Sequence, residues 1–199
     1  MEDERNRELN AAFGLWNRAG QQQDALDYQE RMRKEWTTED IPTVEMPALP
    51  LTGGCQCGRV RYRIDAVPYV FYLCHCTECQ RHTSSAFGES LRVKSADLEI
   101  EGELKTFRRL SESGKAREGH FCPHCGVRIV HGTTGSDMVN VKAGTLDDAR
   151  WLVPAGHIWT RSKQAFVRLR EDEIVYDGQP QDAYTALAER WRRMLGNAA

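Results

Sequence analysis

The chain has 199 residues, with 27 basic and 29 acidic side chains for a formal charge of −2, and 40% of its residues are hydrophobic. That length bounds it to one domain with appendages or two small domains, with enough apolar residues for a core. The near-neutral balance gives no electrostatic case for nucleic acid or an anionic membrane, and no apolar run approaches the length of a membrane span.

The start, Met1-Glu2-Asp3-Glu4-Arg5, is charged and reads as neither a secretory signal nor a transit peptide, so a cytoplasmic location is predicted. Residues 1–36 carry a helical stripe in which Leu9, Phe13 and Trp16 are followed by Ala25, Tyr28, Met32 and Trp36. Acid-first pairs, Asp27 with Arg31 and Glu30 with Lys34, support a helix, whereas Gly14 and Gly20 favour two helices or a bent one. Residues 37–50 hold Pro42, Pro47 and Pro50, which disfavour helix, and read as an extended linker.

Residues 51–176 are predicted to be mainly β. Val60, Tyr62 and Ile64 alternate with Arg59, Arg61 and Arg63, the period of a strand with one wet face. Val70–Leu73 is a short apolar strand. Further candidates are Glu89–Val93, Leu98–Glu101, Lys105–Leu110, Val127–His131, Met138–Ala143, Phe166–Arg170 and Ile174–Tyr176. Short strands at this spacing point to an antiparallel sandwich or barrel-like sheet rather than alternating βαβ units. Residues 177–199 open on the turn Asp177-Gly178-Gln179-Pro180 and continue as a helix with Tyr184, Leu187, Trp191, Met194 and Leu195 on one stripe. Arg190, Arg192 and Arg193 read as a solvated end that complements the helix dipole.

Seven cysteines punctuate the β region. In a reducing compartment an odd count favours metal or thiol chemistry over a disulfide framework. Cys55 and Cys57 lie among glycines that let the backbone fold tightly. Cys122 and Cys125 form a knuckle-like turn followed by Gly126. Together they supply four thiolates, the complement of a closed structural zinc. Cys74, Cys76 and Cys79 remain, three donors that leave one coordination position open. Three thiolates would make that second zinc centre anionic and electron-rich, better suited to holding a thiol as thiolate than to ionising water. The alternative is closure of the trio by His75, His82, His120 or His124. Beside it, Arg81 and Ser85 are candidates to meet a substrate carboxylate, with a surface salt bridge as the other role for Arg81. Glu78, between two of the thiols, suits a supporting or solvent-facing role.

Several segments resemble the glutathione-dependent formaldehyde-activating enzyme family, which includes centromere protein V. They are Gly53-Gly54-Cys55-Gln56-Cys57-Gly58-Arg59-Val60-Arg61-Tyr62, Cys74-His75-Cys76-Thr77-Glu78-Cys79-Gln80-Arg81 and Phe121-Cys122-Pro123-His124-Cys125-Gly126. Gly144-Thr145-Leu146-Asp147-Asp148 and His157-Ile158-Trp159-Thr160-Arg161-Ser162 extend the likeness, which covers roughly residues 51–170. The resemblance implies a β-tent fold, a four-cysteine zinc, and a second zinc held by Cys74, Cys76 and Cys79 at an active site. It implies a carbon–sulfur lyase type of reaction that joins glutathione to formaldehyde, or reverses that addition. His157 and Trp159, in a late family motif, are placed near the second zinc as substrate-pocket residues, Trp159 as an aromatic wall, with a buried structural histidine as the other role for His157. Ser84 stands where the family usually has Gly, Ala149 where Pro is usual and Phe166 where Trp is common. A zinc-stabilised binding module that recruits a partner through its terminal helices is the alternative function. Amphipathic helices at both ends are compatible with a homodimer.

Overall fold

The computed structural model describes residues 41–111 and 114–196. The helical stripe expected over 1–36 lies outside the described residues, as do residues 37–40 of the expected linker. From residue 41 to 50 the chain has no regular element, yet it is not loose: Val44 is buried and its N–H donates to the Met194 carbonyl at 2.7 Å.

The fold is mainly β, in two sheets. The smaller sheet contains β1 (Leu51–Gly54), β2 (Arg61–Ile64) and β5 (Leu98–Glu101), antiparallel in the order β1-β2-β5. The period-two pattern is realised here, with Tyr62 and Ile64 inward and Arg61 and Arg63 outward. The larger sheet is built from β3 (Val70–Cys74), β4 (Gly88–Lys94), β6 (Lys105–Leu110), β7 (Ala116–Phe121), β8 (Arg128–Thr133), β9 (Met138–Val141), β10 (Gly156–Ile158) and β11 (Ile174–Val175). Its order is β11-β10-β3-β4-β9-β8-β7-β6. From β3 to β6 every neighbouring pair is antiparallel.

At the other edge the expectation of purely antiparallel pairing is corrected, because β10 runs parallel to both β3 and β11. The chain leaves β3 and returns to its side only after passing through β4 to β9, so the return need not be a hairpin. Phe166–Arg170 is also not a strand. It is turn and coil, with Phe166 71% exposed, so its alternation has no sheet face to serve.

Two helices complete the description: α1 (Thr77–Thr83) and α2 (Thr185–Leu195). The stripe of α2 is fully used, with Leu187, Ala188, Trp191, Met194 and Leu195 all buried. Trp191 packs edge-on against Phe71 of β3, lies beside Trp151, and donates its indole N–H to the Pro68 carbonyl at 3.0 Å. This apolar face is therefore spent inside the domain. The reading of three solvated arginines is corrected for Arg190, which is buried and donates to the Asp172 carbonyl at 3.0 Å, whereas Arg192 and Arg193 are exposed. No described helix is long and apolar enough to cross a membrane.

Candidate metal centres and the adjoining pocket

The loop from β1 to β2 carries Cys55 and Cys57. Gly58 sits at φ +76°, donates to the Cys55 carbonyl, and closes a tight turn that only a residue tolerant of left-handed backbone takes without strain. The loop from β7 to β8 repeats this device: Gly126, at φ +75°, donates to the Cys122 carbonyl. Both turns aim their sulfurs at one point. Cys55 and Cys57 Sγ lie 3.5 Å apart, and Cys57 and Cys122 Sγ 3.7 Å. With Cys125 the four sulfurs all lie within 4.8 Å of one another. Zinc–sulfur bonds of about 2.3 Å in a tetrahedron place sulfurs roughly 3.8 Å apart, so the donor set fits zinc. Such an ion would tie the small sheet to the far end of the large one.

The second cluster forms where β3 runs into α1. Cys74 closes β3, Cys76 caps α1 by accepting the Cys79 N–H at 3.3 Å, and Cys79 lies on the helix's buried side. Their three sulfurs also lie within 4.8 Å of one another. Among the described residues no His, Asp or Glu donor joins them, so closure of the trio by one of the four candidate histidines is not realised. Thiols this close share charge unevenly. Hydrogen bonds from Cys74 and Cys79 pull the Cys76 thiol far down, while the bond to Cys76 holds the buried Cys74 thiol up. A cation would remove that conflict and let all three ionise together, so this donor set also fits a metal.

The late motifs turn out to hold the two cysteine motifs in place. Parallel pairing of β10 with β3 sets His157 beside Leu73, and the His75 N–H donates to the Ile158 carbonyl at 2.9 Å. His75 Nε2 and His157 Nδ1 are 2.9 Å apart, and His157 Nε2 is 3.3 Å from the Glu173 carboxylate. The His75 carbonyl accepts from Gln80 Nε2 at 2.7 Å and from Ser162 Oγ at 2.9 Å. Burial pushes the His75 imidazole down to about 4, helped by the neighbouring charges of His157 and Lys163. In the other motif pair, Gly53 lies against the Tyr62 ring and the Thr145 carbonyl, where an added Cβ would stand 2.3 Å from the Tyr62 hydroxyl. The Tyr62 hydroxyl meets Thr145 Oγ1 at 2.9 Å, and Arg61 forms a forked pair with Asp147.

A pocket of about 530 Å³ opens on the outer side of α1, lined by Gln80, Arg81, Ser84, Ser85, Ala86, Gln164 and Phe166. The structure thus brings Arg81 and Ser85 together. Arg81 also pairs with Glu78 at 2.9 Å, and Arg109 meets the other oxygen of Glu78 at 3.4 Å. His157 and Trp159 do not line this pocket. His157 is buried behind His75, and Trp159 is half-buried at φ +60° with the Arg161 guanidinium 4.6 Å from its ring centre.

Sequence reasoning missed the buried polar groups on the far side of the trio. Lys142, just after β9, is only 6% exposed, and Nζ has no hydrogen-bond partner. The Nδ1 atoms of His82 and His131 are likewise buried and unpartnered. Burial, with the charges of Lys142 and Arg128, pushes His82 down to about 4 and His131 well below the usual imidazole range. Burial also lowers Lys142, while Cys79 and Cys74 oppose the shift. A lone Lys after a strand resembles any wet-face residue, so nothing in the sequence signalled it.

A family model described as glutathione-dependent formaldehyde-activating enzyme matches residues 50–162, more than half of the chain. The chain belongs to this family. A Halomonas elongata protein is 30% identical over 156 residues, 73% of this chain and 96% of that protein, and is itself assigned only provisionally as a glutathione-dependent formaldehyde-activating enzyme. The crystal structure of a Rhodobacter sphaeroides protein aligns with a TM-score of 0.40 at 19% identity, over 49% of this chain and 88% of that one, a likeness too slight to define the fold. The family match spans both cysteine clusters and the His157–Ser162 clamp but stops short of α2.

Proposed function

We propose that the protein is a zinc-dependent carbon–sulfur lyase that joins a thiol, glutathione, to formaldehyde or reverses that addition. The observation that carries this reading is the unequal division of donors: four sulfurs converge at one centre and three at the other, with no fourth protein donor among the described residues. The first centre, Cys55, Cys57, Cys122 and Cys125, would hold a structural zinc. At Cys74, Cys76 and Cys79 a zinc would supply a position where a thiol is held as thiolate, the nucleophilic form.

The chain's own residues do the rest. The half-buried Cys76 leaves the cluster approachable from the surface. Gln80 links the pocket to the cluster through the His75 carbonyl and accepts from Gln164 Nε2 at 3.0 Å. In the pocket the Arg81 guanidinium is placed to exchange Glu78 for a carboxylate of the peptide thiol, and the Ser85 hydroxyl to donate to the same group. His157 orients His75, and with it the backbone between two metal-binding cysteines.

The test is a Cys76→Ser variant assayed with ¹³C-formaldehyde and glutathione. Adduct formation and cleavage are expected to fall at least about 100-fold while the four-sulfur metal is retained, because loss of one donor disables the open centre. Unchanged rates in a folded variant would remove the proposal.

A further inference from the structure

We infer that Lys142 is a catalytic residue whose ammonium holds the aldehyde oxygen beside the three-cysteine centre. The inference rests on the thiol–aldehyde reading above and adds the group that would meet the substrate's oxygen.

Lys142 is nearly sealed from solvent, and its Nζ has no hydrogen-bond partner, sulfur included. A buried ammonium without an acceptor is costly, so a site that keeps one needs an acceptor to arrive. Arg128 is the cation that acts on it most, and the opposing negative charges are those of Cys79, Cys74 and Cys76. The nearby imidazoles of His82 and His131 are held neutral and bring no negative charge. Lys142 therefore lies beside the cluster with donors to offer and none taken.

Gly88 lies beside both groups. It pairs with Cys74 in the β3–β4 ladder. A Cβ built on it would stand 3.2 Å from Cys79 Sγ and 3.5 Å from Lys142 Nζ. A side chain at position 88 would press on Cys79, whose Cβ it would meet at 3.0 Å, and stand against the Lys142 ammonium.

The step balances without an oxidant. The sulfur lone pair of the thiol cosubstrate forms the C–S bond, and the carbonyl π pair moves onto oxygen. An N–H of Lys142 donates to that oxygen as its charge grows. The oxygen then takes a proton from solvent, equal to the one the thiol lost on ionising, and leaves as the hydroxymethyl adduct. A donor aimed where charge develops acts mainly on the transition state, so kcat carries the effect and thiol affinity does not.

Lys142→Met keeps the length of the side chain and removes the donors. On the zinc-loaded full chain the measurements are zinc per chain, kcat and KM for adduct formation with ¹³C-formaldehyde and glutathione, and affinity for formate, an unreactive one-carbon oxygen anion. The expected result is unchanged zinc, KM for the thiol within about 3-fold, kcat lower by about 100-fold or more, and formate bound about 10-fold more weakly. Lys142→Arg should restore part of the formate affinity. An unchanged kcat overturns the inference. So does loss of one zinc together with the activity, because Lys142 would then be a counter-charge for the thiolates. If Lys142→Met does not fold, Gly88→Ala puts a methyl against Cys79 and Lys142 Nζ with the lysine kept, and undiminished formate affinity there overturns the inference. If the wild type forms no adduct with any thiol, the functional reading fails by itself, and the formate comparison still decides whether Lys142 builds an oxygen-anion subsite.

Discussion

His75 Nε2 and His157 Nδ1 lie 2.9 Å apart, with the rings nearly parallel and both residues buried. His75 stands between two cysteines of the open cluster, and His157 is braced from behind by Glu173. The contact ties β10 to the cluster at a side chain as well as through the backbone. His157→Phe keeps an aromatic ring there but strips both polar contacts. His75 Nε2 is left buried without its partner, at a cost of about 1–3 kcal/mol, whereas Glu173 keeps the Arg170 N–H, so the urea midpoint should fall and the second metal should be lost more readily to a chelator. An unchanged midpoint and unchanged metal retention would mean that backbone pairing alone positions the cluster.

The two cysteine clusters should differ sharply in what they contribute to stability. Cys122 is fully buried, and its cluster ties the β1–β2 loop to the β7–β8 loop, with Cys57 and Cys122 65 residues apart in sequence. Cys125→Ser should lower the metal count by one and make the domain unfold in mild chelator, since a structural zinc stabilises a small domain by roughly 10 kcal/mol or more. Cys76→Ser should cost far less, because β3, α1 and β10 remain held by their own hydrogen bonds. Thermal melts of both variants, with and without chelator, separate the two roles.

How far the sequence could be read depended on local pattern. Val60, Tyr62 and Ile64 showed their inward face because period two survives in isolation, and the paired cysteines showed their turns because Gly58 and Gly126 follow at fixed offsets. β7, which reads Ala-Arg-Glu-Gly-His-Phe, has no such alternation and is a strand only because β6 and β8 flank it. The helix α1 carries little apolar periodicity, and its signals are a cap at Cys76 and charges at suitable ends. His157 and Lys142 show the larger gap. What sets each apart is a neighbour 82 residues away in one case and burial without a hydrogen-bond partner in the other, relations that spacing along the chain does not encode.

Ser84 illustrates a departure that the backbone explains. It caps α1 at φ +52°, a left-handed conformation in which a Cβ is strained. The family's usual Gly at this place has no such penalty. Ser84→Gly should therefore raise stability by about 1 kcal/mol, offset in part by the greater freedom of glycine in the unfolded chain. Because Ser84 also lines the pocket, its thiol affinity should be measured beside the urea midpoint. A lower midpoint would show that the hydroxyl contributes more than the strain costs.

The helix α2 lies outside the family match but inside the core. Trp191 is completely buried between Phe71 and Trp151. Trp191→Ala should cost about 3–5 kcal/mol, from lost transfer energy and the cavity left behind, with the Pro68 carbonyl losing its donor as well. A cost below about 1 kcal/mol would instead indicate that α2 is an appendage that folds against the domain only weakly.

The partly buried histidines set the acid limit of the fold, and His131, whose Nδ1 is sealed from solvent, gives the cleanest measure of it. An imidazole takes up a proton near pH 6.5 in an unfolded chain. In the folded protein His131 is held well below that by burial and by the charges of Lys142, His82, Arg128 and Arg117. The unfolded chain then binds a proton that the folded one refuses. Its contribution to stability is therefore complete above about pH 6.5 and is lost as the pH falls below it, by up to about 1.4 kcal/mol per unit. His82 adds to the same loss, and acid release of metal from the cysteines adds to it further, so the wild type alone does not isolate His131. The difference from His131→Gln does. Between about pH 6.5 and 5 the wild type should lose about 1.5 kcal/mol more than the variant in chemical denaturation. Parallel pH profiles would mean that the folded protein admits the proton at His131, and that the polar space beside Lys142 is open to water on that side.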